Sequence, residues 1–197
     1  VISGPDKYDS TVLDVPVPDY TVPASVHGLK IGVPKEYFGE GVDSKVEDQV
    51  WASIKKLESK GATIEDVSLS HTKYSLSSYY IIAMAEASTN LAKFSGLRYG
   101  LQKPIEGDFN QYFSSVRTKG MGDEAKRRVI LGTFTRMAGY RDAYYTKALK
   151  VRTRVIEDFK KVFKSVDILV APTMPVVAPR FDEIAELEPI QHYMMDI

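Results

Sequence analysis

The chain has 197 residues, 26 Lys+Arg balanced by 26 Asp+Glu, 44% hydrophobic residues and no cysteine. That is the composition of a globular domain able to bury a core without disulfides or metal. It excludes thiolate zinc sites, iron–sulfur clusters and a cysteine nucleophile within these residues, and it fits a reducing compartment.

No apolar run of about 18 residues occurs, so no membrane-spanning helix is predicted. Val1-Ile2-Ser3-Gly4-Pro5-Asp6 has no basic or apolar leader pattern, and Tyr193-Met194-Met195-Asp196-Ile197 ends without terminal punctuation. Both ends are expected to be interior to a longer protein. The neutral total hides an asymmetry: residues 117–164 hold 14 Lys+Arg against 5 Asp+Glu, and the last 33 residues carry a net charge of −5. A basic helical stretch can attract phosphate or an acidic partner, although most such charge is a solvated face.

In chain order, Pro5, Pro16, Pro18 and Pro23 make residues 1–28 an extended connection. Residues 29–70 are predicted to be a strand–helix–strand unit. A strand ends at Pro34, Asp43 or Ser44 caps a helix with Glu47 as capping-box partner, and Val46, Val50, Ile54 and Leu57 form the apolar stripe. Gly61 sits where a left-handed residue ends that helix, and a second strand covers 62–69. Such a crossover joins parallel strands.

Residues 71–166 are predicted to be mainly helical. The stretch 74–99 is helical with small residues from Ala83 to Ala92 that admit a close neighbour, and 100–121 is loop-rich. A helix runs from Asp123 to about Met137 and resumes at Tyr140, and another covers 144–164 with the stripe Ala148, Val151, Val155, Phe159, Val162. Residues 167–197 are a short strand followed by a Pro-rich loop. The whole reads as one partial α/β domain with no internal repeat.

No Gly-x-Ser-x-Gly elbow, phosphate-binding Gly-rich loop or His-Glu-x-x-His motif occurs. His27, His71 and His192 are scattered and read as structural or surface residues. The informative stretches are Tyr79-Tyr80-Ile81-Ile82-Ala83-Met84-Ala85-Glu86-Ala87-Ser88-Thr89-Asn90-Leu91, which places Tyr79, Glu86 and Asn90 on a polar helix face, and Lys126-Arg127-Arg128-Val129-Ile130-Leu131-Gly132-Thr133-Phe134. Adjacent arginines point about 100° apart on a helix, so one is expected outward and one inward. An inward arginine needs a carboxylate, which a substrate can supply bidentately.

These two stretches, with the Ser3-Gly4-Pro5-Asp6 start, Gly28-Leu29-Lys30-Ile31-Gly32-Val33-Pro34-Lys35-Glu36-Tyr37-Phe38, Gly96-Leu97-Arg98-Tyr99-Gly100, Asp142-Ala143-Tyr144-Tyr145 and Asp167-Ile168-Leu169-Val170-Ala171-Pro172-Thr173, closely resemble the amidase-signature family. Within it they are similar to the A subunits of tRNA-dependent Asp/Glu amidotransferases. The resemblance implies part of an α/β fold with a mixed sheet flanked by helices. It also implies a glutaminase that supplies ammonia for converting Glu-tRNA(Gln) or Asp-tRNA(Asn) to Gln-tRNA(Gln) or Asn-tRNA(Asn).

The implied partners are the B and C subunits, with aminoacyl-tRNA reached mainly through B and ATP and Mg used by B. The chain itself would need no cofactor and touch no membrane, and its location would be cytoplasmic. The family's Ser–cis-Ser–Lys triad is expected before Val1, so the present residues alone are expected to be inactive and to hold no catalytic residue. The residues matching the family's glutamine clamp are Tyr79, Arg128 and Asp196. Two other readings remain: part of a different amidase-signature amide hydrolase, or a non-catalytic module binding tRNA or a protein partner.

Overall fold

The computed structural model describes residues 3–19, 25–39, 41–182 and 184. Strand β1 (Lys30–Pro34) leads through a 3-10 turn (Lys35–Tyr37) to helix α1 (Ser44–Ser59) and strand β2 (Thr63–Val67). The Asp43 carboxylate accepts from the Lys45 backbone N–H at 2.8 Å and caps α1. Glu47 makes no reciprocal capping-box bond; its own N–H returns to the Asp43 carbonyl. Gly61 closes the helix at φ +94°, a conformation that disfavours any Cβ.

β1 pairs in parallel with β2 in the register Lys30↔Thr63 to Pro34↔Val67. On its other side β1 pairs in parallel with β3 (Ile168–Leu169), giving the order β2-β1-β3. The α/β class and the helix-flanked sheet expected from the sequence hold, and the described pairings are all parallel. Ile31, Val33 and Ile54 are buried. Leu69, Val162 and Val166 form a cluster covered by Tyr37, Val67, Phe159 and Leu169. Each buried aliphatic side chain contributes about 1.5–3 kcal/mol.

Between β2 and β3 lie α2 (Ser75–Asn90), α3 (Phe109–Gly120), α4 (Asp123–Arg136) and α5 (Lys147–Val162). α2 is followed by a 3-10 turn over Leu91–Lys93, so the helix is shorter than the 74–99 expected. α3 corrects the loop-rich reading of 100–121. Asp108 accepts from the Gln111 N–H at 2.8 Å while the Gln111 side chain accepts from the Asp108 N–H at 3.2 Å, a complete capping box that starts the helix despite the surrounding glycines.

Before α5 the backbone runs as a π-helical turn over Asp142–Thr146, with the Thr146 N–H reaching back to the Arg141 carbonyl at 2.9 Å. The α-helix therefore starts later than the 144 expected. The wider turn accompanies an aromatic cluster in which Phe134 lies 4.6 Å from Tyr140 and 5.9 Å from Tyr144.

Candidate functional site

Helices α2 and α4 form the candidate site. Their spacing is set by Gly132, which lies so close to the Met84 carbonyl and Ser88 that a Cβ there has no room. Small residues on α2 admit this approach, as their run in the sequence suggests. Arg128 lies within electrostatic reach of the Tyr79 and Tyr80 phenols, Gly132 abuts Met84 and Ser88, and the Arg136 Nη1 donates to Thr89 Oγ1. The contacts climb both helices together, so α2 and α4 run side by side in the same direction.

Arg128 stands on α4 with its Nε donating to Glu124 Oε1 at 2.9 Å. Arg127 Nη1 donates to the other oxygen, Glu124 Oε2, at 2.6 Å. Both arginines therefore share one carboxylate of their own helix, so they do not divide into one outward and one inward side chain as expected. The difference between them is one of degree: the Arg127 side chain is 57% exposed and that of Arg128 36%. The i,i+3 and i,i+4 spacings of Glu124 to the two arginines were visible in the sequence and are the signal for this partner.

The Glu124 hydrogen bond raises the Arg128 guanidinium above its ordinary value; partial burial opposes this, and the Glu124 charge and the Tyr79 and Tyr80 phenols reinforce it. Among the described residues no other hydrogen bond engages Arg128, so its Nη1 and Nη2 donors make none there.

Tyr79 is 41% exposed and packs edge-on to Tyr80, with ring centroids 5.3 Å apart and planes at 78°. Tyr79 and Arg128 thus lie on neighbouring helices within electrostatic reach of one another. Asp196 lies outside the described residues. Glu86, on the polar face of α2, accepts from the Tyr145 hydroxyl at 2.7 Å and ties α2 to the π-helical turn. That bond raises the Tyr145 phenol above the usual tyrosine value.

Of the histidines, His71 is structural as expected. Its ring Nδ1 lies 3.0 Å from both oxygens of Asp158, and its backbone N–H donates to the same carboxylate at 2.8 Å. Among the described residues no group of three or more His, Asp or Glu side chains converges on a metal position. No helix among them is long and apolar enough to cross a membrane.

The chain matches the family model described as Amidase over residues 1–197. It is 49% identical to the A subunit of a glutamyl-tRNA(Gln) amidotransferase of Myxococcus xanthus and 52% identical to the corresponding A subunit of Methanosarcina mazei, each over 199 residues. In each comparison the whole of this chain aligns with 41% of the relative, so the chain spans about two fifths of the length of the curated relatives it matches.

Among solved structures, the A subunit of a glutamyl-tRNA(Gln) amidotransferase from Thermotoga maritima superposes with a TM-score of 0.65 at 33% identity, covering 98% of this chain and 37% of that one. A bacterial aryl acylamidase of the amidase-signature family superposes with a TM-score of 0.62 at 19% identity, covering 90% of this chain and 34% of that one, which speaks for the fold alone.

Proposed function

The chain belongs to the amidase family, and from that premise we propose that it is part of the glutaminase subunit of a tRNA-dependent amidotransferase, with Tyr79, Arg128 and Asp196 gripping the substrate glutamine. The subunit would release ammonia from glutamine for the conversion of Glu-tRNA(Gln) or Asp-tRNA(Asn) to the amidated form. Its B and C partners, with ATP and Mg on B, would carry out that conversion in the cytoplasm. The nucleophilic Ser–cis-Ser–Lys group belongs to the part of the family's sequence that these residues do not span. The residues present here would bind and orient, and alone they would not hydrolyse glutamine.

The observation that most supports this reading is that Arg128, whose Nη groups make no hydrogen bond among the described residues, lies within electrostatic reach of the Tyr79 and Tyr80 phenols. Glutamine is a zwitterion. Its α-carboxylate suits the two Nη donors of Arg128, its α-ammonium suits the Asp196 carboxylate, and the Tyr79 hydroxyl can add a hydrogen bond. Each charge-assisted bond contributes about 1.5–3 kcal/mol. A neutral amide would gain nothing from the two ionic contacts, so the pair selects for a free amino acid.

The test uses the full-length protein in its complex. Arg128→Ala should lower glutamine-dependent amidation by about 100-fold or more in kcat/KM while amidation from added ammonia persists. Equal loss of both activities would show that Arg128 supports the fold and not the grip. Hydrolysis of acetamide or benzamide with none of glutamine would instead assign the protein to another amide hydrolase of the family.

A further inference from the structure

Away from Tyr79 and Arg128, the side of α3 facing the start of α4 carries a cavity of about 310 Å³ lined by Asn110, Phe113, Ser114, Arg117, Thr118 and Lys126. Asn110, Ser114 and Thr118 are spaced four apart and stack along one edge of α3, presenting an amide and two hydroxyls. No carboxylate lines the cavity.

Arg117 is the unusual member. Its Nη2 donates to the Ala92 carbonyl at 3.2 Å and its guanidinium lies 5.5 Å from the centre of the Phe113 ring. Its Nε is buried without a hydrogen-bond partner, and no carboxylate pairs with it among the described residues. That Nε is closed off from solvent, so what Arg117 brings to the cavity is its uncompensated positive charge. Lys126 has a carboxylate partner in Asp123 at 3.5 Å, but the Asp123 side chain is 97% exposed, so that pair is weak and easily exchanged.

We propose that Arg117 and Lys126, with Asn110, Ser114 and Thr118, form a binding site for a phosphate group. Two cations with little counter-charge, flanked by neutral donors, fit a tetrahedral oxyanion. The reading is independent of the glutamine clamp. The phosphate can belong to a small ester or to a single-stranded nucleic-acid backbone. Beside the cavity, Phe109 is 67% exposed and stacked on Phe113, a surface on which a base can lie.

The experiment titrates the isotope-labelled protein at low ionic strength, first with inorganic phosphate and then with a short single-stranded RNA, and follows backbone amide resonances. Saturable shifts confined to α3 and the first turn of α4 are expected. Lys126→Ala should weaken the apparent affinity at least about five-fold, and Asp123→Asn, which removes the competing carboxylate, should tighten it. Both positions are solvent-accessible, so these variants test the site even if Arg117→Gln, which also loses the bond to Ala92, disturbs the fold. Tighter binding of RNA at the same residues, with steep salt dependence, identifies a nucleic-acid backbone as the source; phosphate binding that RNA does not improve identifies a small ester. Uniform unsaturable shifts, or affinities unchanged in both variants, would overturn the proposal.

Discussion

Replacing Gly132 with alanine sets two local effects against each other. Alanine is the better helix former by about 1 kcal/mol. Yet a Cβ on Gly132 would stand 2.5 Å from the Met84 carbonyl carbon and 2.8 Å from Ser88 Cβ, and nearer still to the Met84 carbonyl oxygen. Carbon atoms rest about 3.5–4.0 Å apart, so α4 must retreat from α2 by roughly 1 Å.

Overpacking of this kind costs about 1–3 kcal/mol, and the obstructing backbone cannot rotate aside. The net loss should reach up to about 2 kcal/mol, which lowers a urea midpoint by up to about 1 M. Urea unfolding followed by far-UV circular dichroism reads this directly. The neighbouring Thr133 is exposed, so Thr133→Ala gains helix propensity without a clash and should raise the midpoint slightly. A Gly132→Ala midpoint that rises in step with this control would refute the argument from close approach. Under the proposed glutamine-binding role, the same retreat would carry Arg128 away from Tyr79, so KM for glutamine in the full-length protein should rise in Gly132→Ala and not in Thr133→Ala.

Asp158 offers a pH test. Burial pushes its carboxyl up, but hydrogen bonds from the His71 backbone and ring and from Ser70 outweigh that and hold it below its ordinary value of 3.8. The stability it contributes is therefore present above 3.8 and lost as pH falls through the folded value. Asp158→Asn should destabilise the protein by about 1 kcal/mol near neutrality and flatten the acid limb of its stability profile. Asp108→Ala removes the cap of α3 and should cost about 1 kcal/mol, read as a lower thermal midpoint and faster amide exchange in the first turn of that helix. Glu86→Gln removes the charged acceptor that raises Tyr145, so a phenolate absorbance titration should show that tyrosine ionising at lower pH than in the parent.

The sequence was most legible where one local pattern decides the outcome. The stripe from Val46 to Leu57 marked α1, Gly61 marked its end, and the small residues after Ala83 marked the face of α2 that meets Gly132. It was least legible where two signals competed. Gly100, Pro104, Gly107 and Gly120 suggested a loop, yet the reciprocal bonds of Asp108 and Gln111 start a helix between them. The sharing of Glu124 between Arg127 and Arg128 follows from spacing on a helix surface, yet a carboxylate three and four residues away competes with any more distant partner for the same guanidinium groups. That α2 and α4 run in one direction could not be read from either helix, because it depends on contacts between them. The route by which Asp196 would join the pair lies outside the described residues.

β3 contributes only Ile168–Leu169, and the Lys30 backbone N–H meets the Asp167 carboxylate across 137 positions of sequence. During synthesis β1, α1 and β2 can close on one another soon after they leave the ribosome, while the far edge of β1 must wait until all four helices that follow have been made. A bare strand edge is a template for pairing with another chain. A nascent chain paused before Asp167 would be the species most in need of a chaperone, and the brevity of the last strand leaves few bonds to register once it arrives.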